Sequence, residues 1–202
     1  MRLLIATHNR GKLIEYQEMF ADLPLDLVTL DDVGIRDDVA ETGATFAENA
    51  RAKAEAYAQQ SGQLTLADDS GLEVDALGGE PGVYSRRYAG ANKSDAERIA
   101  FLLDKLRDVP AGKRAARFRC AIALATPDGK LWETAGACEG EIAFEPRGEN
   151  GFGYEPIFHI AARGARMAEL STAEKNKVSH RAYAAEKARK ILGKMVAREN
   201  AK

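Results

Sequence analysis

The sequence is short of several things, and each shortage narrows the field. It has only two cysteines, Cys120 and Cys138. Two thiols make no disulfide framework, and their separation is not a metal-ligand spacing. They read as reduced core thiols of a cytoplasmic protein. A charge excess is missing too, since 29 Lys and Arg face 31 Asp and Glu for a net charge of −2. Without a basic stripe there is no general pull toward nucleic acid or an anionic membrane, so any bound anion must be gripped locally. No apolar run approaches the roughly eighteen residues of a membrane span. Arg2 precedes only a short apolar stretch before Thr7, which is not a signal-peptide layout. Repeats, low-complexity tracts and a Pro/Gly/Ser-rich linker are absent as well. The 202 residues are therefore expected to form one domain, 1–202.

What is present alternates. Residues 2–6 read as a buried strand, and 11–22 as an amphipathic helix with Leu13, Tyr16, Met19 and Phe20 on one side. "LDLVTL" reads as a second strand, followed by an acidic loop through Glu41. Thr45 and Glu48 form a capping box for a helix that stops at Gly62. "LTLA" is a third strand running straight into "DDSG". Ser94 with Glu97 and Ser171 with Glu174 make two more capping boxes. The stretch 117–144 predicts a long antiparallel hairpin turning at Pro127-Asp128-Gly129, and a helix from Ser179 closes the chain. Strands alternate with helices early and pair as a hairpin late. The expected class is α/β: a mixed β-sheet flanked by helices, in two lobes with a central substrate cleft.

Three stretches carry chemistry. In "LLIATHNRGK" a strand gives way to Thr7, His8, Asn9, Arg10, Gly11 and Lys12 as a helix begins. Unpaired N–H groups at a helix start attract anions, and Lys12 adds a full charge. The spacing is neither a Walker A loop nor G-x-G-x-x-G. A capped surface turn with solvated Arg10 and Lys12 is the plainer reading. Second, Asp68 and Asp69 follow an apolar strand, where ligands of α/β sheets bind. Adjacent carboxylates repel unless a cation sits beside them, and Mg²⁺ prefers carboxylate oxygens and substrate phosphates. Backbone alternation sends the two to different faces, so one of them is expected to point at the ligand. Ser70 can donate to a phosphate, and Gly71 permits a turn; an Asx-type turn accounts for the same letters. Glu41 is a further candidate carboxylate for the metal, or simply an acidic residue ahead of a helix start. Third, Phe152 and Tyr154 stand among glycines in "GENGFGYEPIF". An aromatic there can stack on a base, although core anchoring is the better reading of Tyr154. Lys175, His180 and Arg181 near the last helix offer donors for a base carbonyl edge, or form a solvated face.

Taken together, "ATHNRGKLIE", "ETGATFAENARAKA", "LADDSGLEVDALGGEPGVYSRRYAG", "GFGYEPIF" and "AEKNKVSHRAYA" resemble the inosine triphosphatase family, the noncanonical purine nucleoside triphosphate pyrophosphatases. The motifs run in family order from Leu3 to about residue 190. The resemblance implies a homodimeric, Mg²⁺-dependent enzyme that cuts ITP, dITP or XTP to the monophosphate and pyrophosphate. It implies that Thr7 to Lys12 grip the substrate, chiefly its phosphates, and that Asp69 ligates the metal and accepts a proton from the attacking water. It further implies that Ser70 binds substrate, that Phe152, Gly153, Tyr154 and Glu155 border the base with Phe152 stacked on it, and that Lys175, His180 and Arg181 read the purine edge. Lys53 matches a phosphate-contacting position. Glu155 stands where the family usually has Asp, and His8 fills a position that is often Gly. A septum-associated pyrophosphatase of related architecture is disfavoured by "THNRGK", which is not its arginine-rich motif. A nucleotide-binding module without catalysis is the remaining alternative.

Overall fold

Leu3, Leu4 and Ile5 are all buried, as a strand needs to be when it has neighbours on both edges and cover on both faces. They belong to β1 (Arg2–Ile5), which pairs in parallel with β2 (Asp26–Thr29) and with β3 (Thr65–Val74). In this computed structural model, which describes residues 1–199, the sheet continues through β4 (Ala115–Ala125), β5 (Leu131–Ile142), β6 (Phe158–Ile160) and β7 (Ala165–Arg166). The strand order is β2-β1-β3-β4-β5-β6-β7, and β6 is antiparallel to β5 and β7. The sheet is thus mixed and open. β4 and β5 form the expected hairpin, closed at its turn by the Gly129 N–H to Thr126 O bond of 3.0 Å.

The helices start where side chains satisfy their first N–H groups. Asn9 caps α1 (Arg10–Met19) by accepting from the Lys12 N–H. Reciprocal capping boxes open α2 (Phe46–Ser61), α3 (Asp95–Lys105) and the short α4 (Thr172–Lys175), each worth on the order of 1 kcal/mol. The chain ends in α5 (His180–Glu199). α2 stops at Gly62, whose φ of 67° is the left-handed conformation that a glycine adopts without strain. α1 ends three residues earlier than its periodicity predicts, because the backbone leaves the helix at Phe20.

The described residues fall into two compact units. Unit one comprises residues 1–70, 120–136 and those from His180 onward; unit two comprises 71–119 and 137–179. Each has its own core. In unit one Leu3, Ile5, Tyr16, Phe20, Leu66, Ile122 and Leu192 pack together; in unit two Leu72, Leu102, Phe118, Phe158 and Met167 do so. A fully buried side chain of this size contributes about 1.5–3 kcal/mol. Three strands, β3, β4 and β5, each run from one unit into the other. Both cysteines are buried and unbridged.

One expectation is corrected here. "DDSG" does not end a strand in a turn: Asp68, Asp69, Ser70 and Gly71 lie inside the unbroken β3. The strand survives because each carboxylate meets a cation or an amide donor at its own face, so neither needs water.

Candidate active site

In unit one, three parallel strands set the positions. The register Ile5↔Leu66 leaves Thr7 and the residues after it level with Asp68 and Asp69. Between β1 and α1 the chain is tied to itself: the Asn9 N–H donates to Thr7 Oγ1 at 3.1 Å, and Asn9 Oδ1 accepts the Lys12 N–H at 3.1 Å. That cap leaves the Arg10 and Gly11 N–H groups without an intrahelical acceptor, and no acidic residue stands in the first turn of α1. Lys12 reaches across to Asp68, Nζ to Oδ2 3.0 Å. His8 and Arg10 are exposed, with His8 Nε2 lying 3.7 Å from Asp38.

The two aspartates do face opposite ways. Asp68 and Ser70 point toward α1 and α5, where both meet Arg181. The guanidinium is wholly buried and donates to Asp68 Oδ2, to Ser70 Oγ at 2.8 Å and to Glu15 Oε2 at 2.6 Å. Asp69 points toward α2. Its Oδ2 accepts from Asn49 Nδ2 at 2.9 Å, its Oδ1 from the Ser70 N–H at 3.0 Å, and Lys53 Nζ lies 3.7 Å from Oδ1. Lys53 also donates to Glu41 at 2.7 Å. One ammonium thus stands between the two carboxylates that were the candidate metal ligands.

Burial treats the neighbours differently. For Asp68 the desolvation is overcome by Lys12, Arg181 and Lys53, which hold its carboxyl far below the usual carboxylate range. For Asp69 burial prevails over Lys53 and the Asn49 hydrogen bond, with Glu41 adding to it, so the pKa is raised. Burial opposes the charge on Lys53, but Asp69, Asp68 and Glu41 together raise its pKa. Asp68 is a permanent counter-charge, while Asp69 is a carboxylate with some appetite for a proton. Neighbouring carboxyls driven apart in this way are how one site divides anchoring from proton transfer. Cys120, beside Asp68, is pushed up to about 12 by burial first and that charge second, so it is not a nucleophile.

In unit two, "GFGYEPIF" closes on Lys175. Glu155 and Lys175 are both buried, and Lys175 Nζ lies 2.5 Å from Glu155 Oε1. The other oxygen of Glu155 accepts from the Phe152 N–H at 3.3 Å, and the Lys175 ammonium lies 4.8 Å from the Phe152 ring centre. The longer carboxylate at 155 therefore spans from Lys175 back to its own loop. Gly151 is required here: its φ is 77°, and a Cβ would lie 1.7 Å from Glu155 Oε2. Gly153 donates to Asp95 at 2.7 Å. Tyr154 is a core anchor, buried and donating to Ser85 O at 3.0 Å.

The sequence grouped Lys175, His180 and Arg181, but the chain divides among them. Lys175 pairs within unit two, and Arg181 within unit one. His180 is buried at the start of α5. Arg181 is therefore placed not as an open donor patch but in a buried ion-paired cluster, because two carboxylates sit at its reach in a dry core.

The model of the Ham1 family matches residues 3–191. The chain belongs to the Ham1 family. It is 52% identical over 182 residues to the dITP/XTP pyrophosphatase of Geobacillus kaustophilus, covering 90% of this chain and 89% of the relative. It is 48% identical over 189 residues to the dITP/XTP pyrophosphatase of Bacillus subtilis, covering 94% and 96%. The solved structure of a HAM1 protein from Coxiella burnetii superposes with a TM-score of 0.88 at 43% identity, covering 96% of this chain and 99% of that one.

Within this Ham1 protein, three buried polar residues escaped the reading of the sequence: Asp68 as an anchor, Glu15 and Asn49. A signal for two of them was present. The buried stripe of α2 runs Phe46, Ala50, Ala54, Tyr57 and Ala58, and Asn49 lies on it as a polar interruption. Glu15 interrupts the buried side of α1 in the same way. A buried polar side chain implies a partner.

Proposed function

We propose that this Ham1-family protein is a nucleoside triphosphate pyrophosphatase that hydrolyses dITP, XTP and ITP to the monophosphate and pyrophosphate. The observation that carries the reading is the pair Asp68 and Asp69, adjacent on β3 yet held in opposite protonation tendencies beside two lysines. The relatives' activity supports it. In the proposed reaction, water attacks the α-phosphorus, its proton passes to Asp69, and the bond from the α-phosphorus to the bridging oxygen breaks as pyrophosphate leaves. Lys12, with the Arg10 and Gly11 N–H groups, binds the phosphate oxygens where negative charge grows. Asp68 holds the Lys12 ammonium in place at 3.0 Å. Lys53 serves the same phosphates.

Mg²⁺ belongs to the same reading. Glu41 and Asp69 converge on one cationic position, which Lys53 takes in this structure, so the donor set suits a hard divalent ion. When bound, Mg²⁺ supplies charge neutralisation for the phosphates and polarises water.

Base choice falls to unit two. Phe152 offers a ring face for stacking, and Lys175 carries N–H donors and no acceptor. The 6-oxo group of hypoxanthine or xanthine accepts from such a donor. The 6-amino group of adenine is itself a donor and cannot accept there, a mismatch that a hydrogen-bonding site rejects. A homodimer completes the proposal on the strength of the family resemblance, and a cytoplasmic location on the chain's two unbridged cysteines.

The test is a panel of triphosphates with Mg²⁺, scored for monophosphate plus pyrophosphate against diphosphate plus phosphate. Monophosphate and pyrophosphate from dITP and XTP but not from dATP is the expected result. Orthophosphate release, or tight binding with no turnover, would overturn it.

A further inference from the structure

Asn49 is 1% exposed on the inner stripe of α2, and the proposed chemistry leaves it without a task. Its neighbours settle its orientation. The Gly43 N–H can only donate, and its acceptor at 2.8 Å is Asn49 Oδ1. The Nδ2 end is thereby turned to Asp69 and donates to Oδ2 at 2.9 Å. Gly43 is equally constrained, because a Cβ there would lie 2.8 Å from Asn49 Oδ1 and 2.7 Å from Glu48 Cβ. The amide is clamped between the backbone of the loop that carries Glu41 and the carboxylate of Asp69.

We propose that Asn49 is a positioning residue, and that the chain Gly43–Asn49–Asp69 fixes the plane of the Asp69 carboxylate for hydrolysis. The inference rests on the activity proposed above. A carboxylate at the end of two rotatable bonds has no preferred plane of its own. Here Oδ1 is tied to the Ser70 N–H and Oδ2 to the Asn49 amide, so rotation is stopped at both ends. The amide also sets Asp69 and the Glu41 loop in a common frame, since its two ends bind one of each. Partners of this kind, one step removed from the reacting groups, typically matter by about 10–100-fold.

Asn49→Leu, close in size, removes both bonds. Asn49→Asp keeps an acceptor for the Gly43 N–H but turns a second carboxylate on Asp69. Gly43→Ala alters neither Asn49 nor Asp69 chemically but puts a methyl group against the Asn49 amide and Glu48 Cβ. Each is assayed with dITP for kcat and KM, alongside thermal melting. The expected result is a fall in kcat of about 10–100-fold for both Asn49 variants and a smaller fall for Gly43→Ala, with KM within about threefold of wild type. A loop brace without any positioning role predicts instead that Asn49→Asp keeps its kcat. Active wild type with Asn49→Asp or Asn49→Leu within twofold of its kcat would sink the positioning role alone. Should both Asn49 variants fail to fold, an unchanged kcat in Gly43→Ala would sink it equally. Wild type that releases no pyrophosphate would sink the activity and this role with it.

Discussion

Replacing Arg181 by methionine is the sharpest test of how unit one is held together. The side chain is wholly buried and touches Glu15, Asp68 and Ser70. Methionine fills similar space but leaves Glu15 and Asp68 facing one another, with Lys12 as the nearest remaining cation for Asp68. Removing one member of a buried ionic cluster costs about 3–5 kcal/mol. In a chain of this size about 2–4 °C of melting temperature accompanies each kcal/mol, so the melt at pH 7 is expected to fall by about 6–20 °C. The pH dependence follows from Asp68. Its folded pKa is depressed, so its contribution is complete above the unfolded value of about 3.9 and is lost as pH falls through the folded one. The variant has lost the share of that depression due to Arg181, while Lys12 and Lys53 remain, so the gap between wild type and variant should narrow as pH is lowered below about 4. Differential scanning fluorimetry across pH 3–8 reads both effects. A variant that melts within about 2 °C of wild type at pH 7, yet loses its preference for dITP over dATP, would refute the structural role and return Arg181 to the purine edge.

Three further outcomes follow from the same geometry. Asp69→Asn should abolish pyrophosphate release while dITP binding, followed by calorimetry, persists; release near the wild-type rate would remove Asp69 from the chemistry. Lys175→Ala should lower the ratio of kcat/KM for dITP over dATP by at least about tenfold, the scale of one hydrogen-bonding discrimination; an unchanged ratio would exclude edge reading by Lys175. Gly151→Ala puts a methyl group on the Glu155 carboxylate at a positive φ, so it should cost about 1–3 kcal/mol in a denaturant melt, and a neutral result would show that the loop has a second conformation.

Much of the fold was readable because local chemistry and global architecture agree. The three capping boxes, the hairpin turn and the apolar run of β1 are short-range signals, and each appears where the letters put it. Two lobes were expected, but the places where the division into two units falls left no trace. Its boundaries cut through β3, β4 and β5 rather than through linkers, so composition never changes at them. "DDSG" misled for a related reason: local turn preference is overridden once Asn49, Lys53, Lys12 and Arg181 supply partners from distant segments. Alternation did place Asp68 and Asp69 on opposite faces. It was silent on which of them would stay charged, because that depends on cations up to 113 residues away in sequence.

That distance bears on how the protein is made. Asp68 leaves the ribosome long before Arg181, and the guanidinium that completes its set of cations arrives only with the terminal helix. A nascent chain halted before that helix holds Lys12 but not Arg181 against a carboxylate destined for a dry interior. Unit one then lacks one of the cations that offset Asp68, even with all of its strands synthesised. Truncation ahead of Arg181 should therefore destabilise unit one although it removes none of its strands.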